Sequence, residues 1–143
     1  MIRLLRSVFA ALALTALVAG GFATAAFARA GAYLTDLIRT EPYRTAWINM
    51  LSKERNLPSF VKDFTFTHDG VTTPAHMVPV GYQAYLLATL CEAHACADHM
   101  LYVIFAPDGS KAYAELIEAG KARRLLGKPN AAVRAAIAAA HTP

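Results

Sequence analysis

The chain has 143 residues, is 56% apolar and carries a formal charge of +4. That length suits one domain plus a processing segment, and much of the apolar excess lies in residues 1–30. With those set aside, eleven bases face ten acids and no basic stripe remains, which excludes nucleic-acid binding.

Arg3 and Arg6 give the chain a positive start, an Ala- and Leu-rich run follows over Val8–Val18, and "AFA" (26–28) or "ARA" (28–30) offers a small-residue cleavage site. These are the three parts of a secretory signal peptide. Residues 1–30 are therefore expected to be removed after Ala28 or Ala30, leaving 31–143 as a single domain. A membrane-spanning helix needs ~20 apolar residues, and Leu4 to Ala28 approaches that length. The positive start and small-residue ending favour cleavage, so the membrane is met only through the export signal.

Leu34, Leu37 and Ile38 recur at helical spacing, and Tyr43, Trp47 and Met50–Leu51 do so again after Pro42. Proline fits a first helical turn, so a short helix, a break and a second helix are expected, with Trp47 as a core anchor. "LPSFVKDF" (57–64) adds a further turn of helix. "VTTPAHMVPV" (71–80) carries prolines that mark an edge or irregular strand. "GYQAYLLATL" (81–90) and "HMLYVIFA" (99–106) are dense in aromatic and branched residues, as strands are. They are expected to pair as a hairpin with 91–98 at its tip. "PDG" (107–109) is a turn signal, followed by strand candidates "KAYAELIEA" (111–119) and "KARRLLG" (121–127) around Ala119–Gly120. "KPNAAVRAAIAAA" closes the chain as a helix with Pro129 at its opening. The expected class is α+β, a central antiparallel sheet of about five strands flanked by helices at both chain ends.

The hairpin tip reads "CEAHAC", residues 91–96, and holds both cysteines of the chain. In an exported protein, Cys91 and Cys96 read as a local disulfide. The alternative is a zinc site, because Cys91, His94, Cys96 and His99 are all ligand types. Structural zinc sites usually join two ligand pairs across a long segment, and so short a run can hardly wrap four ligands around one ion. No metal is expected. Redox chemistry of the thioredoxin type wants two residues between the cysteines, and here there are four.

No catalytic constellation assembles. The chain lacks a Gly-x-Ser-x-Gly elbow, a phosphate-cradling glycine loop and a His-Glu-x-x-His pair. The protein reads as a non-enzyme without a cofactor. His68 and His76 read as solvated, His141 as tail, and Asp98 with His99 as shaping the loop exit. His94 stands apart at the centre of a closed ring, to which the chain-entropy model credits roughly 2 kcal/mol. A closed loop also loses less entropy on entering a partner's cleft, and imidazole can donate from one or both ring nitrogens.

"YLTDLIRTEPYRTAW", "GYQAYLLATLCEAHACADHMLYVIFAPD" and "LLGKPNAAVRAAI" together resemble the Ivy family, the inhibitors of vertebrate lysozyme from bacterial periplasms. The likeness spans essentially all of 31–143. It implies a periplasmic protein, often a homodimer, whose disulfide-closed loop enters the active cleft of a C-type lysozyme. The loop's histidine, His94 here, would then bond the carboxyl pair of a retaining glycosidase. On that mapping Cys91, Glu92, Ala93, His94, Ala95 and Cys96 form the inhibitory loop and His94 is the key contact.

Three positions depart from the inhibitory members, whose loop reads Cys-Lys-Pro-His-Asp-Cys: Glu92 replaces Lys, Ala93 replaces Pro and Ala95 replaces Asp. Glu92 is expected to add charge unfavourable beside the target's carboxylates. Losing Pro frees φ, and losing Asp removes a side chain that could hold the turn. The alternative function follows from these departures: a divergent paralogue that does not inhibit vertebrate lysozyme and binds lytic transglycosylases or another periplasmic partner instead.

Overall fold

The computed structural model describes residues 29–141; the leader expected over 1–30 lies almost wholly outside that range. Among the described residues, four short helices come first: α1 (Leu34–Leu37), α2 (Tyr43–Leu51), α3 (Ser59–Lys62) and α4 (Phe64–Thr67). Strands β1 (Val71–Val80), β2 (Gln83–Cys91), β3 (His99–Phe105), β4 (Ala112–Glu118) and β5 (Arg124–Leu126) follow, then α5 (Ala131–Ala139). The strands form one five-stranded antiparallel meander in chain order. The α+β architecture read from the sequence is the one observed.

Strand alternation sends side chains to two faces. Leu101, Val103 and Phe105 of β3 join Leu34, Leu37, Trp47, Phe60 and Phe64 in the larger core. Ile104 instead meets Val80 and the α5 residues Val133 and Ile137 on the opposite face. The sheet is thus covered by helices on both sides. Trp47 is fully buried, edge-on to Phe64, and its indole N–H donates to Thr65 Oγ1 at 2.7 Å. A large ring with its polar handle satisfied is what a core anchor requires.

The boundaries differ from expectation where turns take over. Gly81 has φ +60 and, with Tyr82, closes a two-residue hairpin, so β2 starts at Gln83. A glycine at the first central position is the pattern of a type II′ turn. Pro74, which cannot donate to a ladder, lies where the β1–β2 register shifts, between Thr73 and His76. At the last helix Asn130, rather than Pro129, supplies the cap: its Oδ1 accepts from the Val133 N–H at 2.9 Å.

His141 is not a solvated tail. The packing of α5 carries it over Tyr102, with ring centroids 4.2 Å apart, and its Nε2 lies 3.1 Å from Glu115 Oε2. Glu115 is buried, with Arg123 Nη1 3.7 Å from its other oxygen; the His141 Nε2 approach does not complete a hydrogen bond.

Candidate functional site

The β2–β3 hairpin ends in the loop 92–98. Its root is set by the ladder: Cys91 pairs with Met100 and Val71 on its two sides, and His99 pairs with Glu118. The Glu92 N–H extends the hairpin by one rung, donating to the His99 carbonyl at 3.2 Å. Cys91 and Cys96 are joined as a disulfide. Their sulfurs are therefore not thiolate ligands, and among the described residues no group of three or more His, Cys, Asp or Glu is placed to hold a metal ion.

Inside the ring the chain makes a β-turn, with the Ala95 N–H donating to the Glu92 carbonyl at 3.0 Å. His94 occupies the third position of that turn with φ +66, while Ala93 keeps a negative φ. This is the signature of a type II turn, which favours glycine third and proline second. A histidine in the left-handed region is uncommon but, with Asn and Asp, better tolerated than most. A sparsely populated backbone at an exposed position supports a functional hypothesis. Beyond the ring the Asp98 and His99 N–H groups both donate to the Ala95 carbonyl, at 3.0 and 2.9 Å. His94 and Ala93 are exposed, and Cys91 is buried. The ring is rooted in the core and its histidine stands in solvent.

Two contacts hold the root. Gly70, preceding β1, runs so close that a Cβ there would come within 2.6 Å of Leu90 Cδ1 and 3.2 Å of the Cys91 carbonyl oxygen. On the other side, Glu92 Oε2 contacts His99 Nδ1, and the His99 ring stacks on Phe60 of α3 with centroids 6.0 Å apart and planes 8° from parallel. Asp98 is exposed; the carboxylate that orients His99 is Glu92. Sequence reasoning missed this pair, although cross-strand register would have found it: with Cys91 opposite Met100, Glu92 stands opposite His99.

The other histidines take no part in the loop. His68 ends α4 in a left-handed conformation against Phe64, and His76 is exposed on β1. The "FAPD" turn holds its own shape: Asp108 Oδ1 accepts from the Ser110 N–H at 3.0 Å and from Ser110 Oγ at 2.7 Å. Those two bonds hold the Asp108 carboxyl below its ordinary pKa. No helix among the described residues is long and apolar enough to cross a membrane.

Comparison with known proteins bears directly on this loop-bearing fold. The family model "Inhibitor of vertebrate lysozyme (Ivy)" matches residues 42–142. A Pseudomonas aeruginosa protein named "Uncharacterized protein PA5481" is 35% identical over 146 aligned positions, covering 92% of this chain and 90% of its own. The protein of the same species named "Inhibitor of vertebrate lysozyme" is 31% identical over 80, covering 56% of this chain and 50% of its own. An uncharacterised Yersinia pestis protein is 25% identical over 75, covering 52% and 46%. With the family model covering most of the chain and one relative similar over nearly all of it, the chain belongs to the Ivy family.

Proposed function

We propose that this protein is exported to the periplasm after cleavage behind Ala28 or Ala30 and there inhibits C-type lysozyme, by inserting the Cys91–Cys96 loop into the active cleft. The observation that carries the reading is His94, solvent-exposed with φ +66 at the tip of a disulfide-closed turn whose root is buried. An imidazole there can donate to both members of the carboxyl pair of a retaining glycosidase. The closed ring limits the entropy lost on docking. The chain acts by occupying the cleft, with no catalysis and no cofactor of its own. The proposed assembly is a homodimer, as the family likeness implies.

The departures at Glu92, Ala93 and Ala95 favour a second reading, in which the same loop serves a lytic transglycosylase or another periplasmic partner. Clearing of bacterial cell walls by lysozyme separates the two. Oxidised protein should slow clearing, and the reduced, alkylated protein should not. Oxidised protein that leaves clearing untouched but slows a lytic transglycosylase would replace the first reading by the second.

A further inference from the structure

Glu92 replaces a lysine of the inhibitory members, and its charge reads as a liability in a loop meant for a pair of carboxylates. The structure gives it another task. Its Oε2 contacts His99 Nδ1, its N–H donates to the His99 carbonyl, and its own carbonyl accepts from Ala95 inside the ring. The His99 ring in turn runs parallel to that of Phe60, a core residue of α3, offset with centroids 6.0 Å apart. We infer that Glu92, His99 and Phe60 form a brace that fixes the loop's root against α3 and thereby sets the orientation in which His94 is presented. Glu92 and His99 are positioning residues in this scheme, and it rests on the proposed lysozyme reading only for its consequence, not for its existence.

The physical case is the division of labour around the turn. A type II turn with alanine second has lost the proline that would fix φ there, and the disulfide ties only the two ends of the ring. The turn's i position is Glu92, so whatever holds Glu92 also holds the plane of the peptide to which Ala95 bonds. The brace supplies that hold through a side-chain contact, a rung of the ladder and a ring stack. An imidazole N–H donating to a carboxylate is a charge-assisted hydrogen bond whether the ring is neutral or protonated. Glu92 is thereby engaged laterally instead of projecting toward a partner.

Hydrogen exchange in the free protein tests the brace without reference to any target. In Glu92→Ala and in His99→Ala, protection of the Ala95 amide should fall about tenfold or more, with core amides of β2 and β3 such as Leu87 and Val103 unchanged. Glu92→Gln, which keeps an acceptor for His99, should restore most of that protection. Unchanged Ala95 protection in both alanine variants, or no rescue by glutamine, overturns the brace. Calorimetric titration with lysozyme then tests its consequence. Glu92→Ala should weaken binding about tenfold in the wild-type background and have little effect in a His94→Ala background. An equal loss in both backgrounds means that Glu92 touches the partner itself and is not a positioning residue. Should the wild-type chain not bind lysozyme at all, the functional reading fails, and the exchange result alone decides the brace.

Discussion

Trp47 and His94 are the extremes of this chain, one fully buried with its N–H satisfied, the other exposed on a left-handed backbone. Trp47→Ala should cost ~3–5 kcal/mol, while His94→Ala, which leaves an alanine on a left-handed backbone, should cost only about 1 kcal/mol. Urea unfolding monitored by far-ultraviolet dichroism measures both, and a larger loss at His94 would make that residue structural. Asp108 belongs to the same scale. Its folded pKa lies below the ordinary 3.8, chiefly through the Ser110 N–H bond, so the unfolded chain takes up the proton first as acid is added. The stabilisation is complete above the unfolded value and fades as pH falls through the lowered folded value. Asp108→Asn should therefore flatten the acid limb of the stability–pH curve, and an unchanged limb would show that the turn does not contribute. Residues of this kind were unequally legible. Trp47 announced itself by helical spacing on an apolar face. His141 did not, because its burial depends on α5 crossing Tyr102, and nothing local to "AAHTP" encodes that crossing.

Elements were legible in proportion to how locally they are specified. The β2–β3 hairpin, its Cys loop and the antiparallel meander follow from composition and turn residues. Their limits do not: Gly81–Tyr82 reads as strand in the sequence but makes the turn, and Asn130, not Pro129, caps the last helix. The brace lies between these cases, since Glu92 opposite His99 follows from register, while Phe60 reaches the loop only through the packing of α3 on the sheet. The turn geometry sharpens the effect expected of the loop's departures. Ala93 sits where a type II turn favours proline, and a compatible replacement by Pro typically contributes ~0.4–1 kcal/mol, equivalent to about two- to fivefold in an inhibition constant. Ala93→Pro with Ala95→Asp should tighten inhibition by at least that factor. Adding Glu92→Lys should erase part of the gain if the brace matters, and increase it if Glu92 acts only by repelling the target's carboxylates. Inhibition constants for the double and triple variants, compared side by side, distinguish the two.

At the scale of the molecule, a sheet covered by helices on both faces leaves its hairpin tips as natural places for a protruding contact, and only one tip is closed covalently. Gly31 and Ala32 lie against β1, with the Gly31 N–H donating to the Ala75 carbonyl at 2.6 Å and Ala75 returning a bond to Ala32 at 2.9 Å. A chain processed behind Ala28 or Ala30 keeps both bonds. Intact mass of protein recovered from the periplasm should match residues 29–143 or 31–143 less two hydrogens, and an uncleaved or fully reduced mass would contradict the export reading. In the proposed mechanism the exposed histidine of the closed loop does the inhibiting. Lysozyme clearing of bacterial cell walls, titrated with wild-type protein and with His94→Ala, measures it most directly. Dose-dependent inhibition by the wild type is expected, and its loss in a folded His94→Ala variant. Strong inhibition that survives His94→Ala would contradict it.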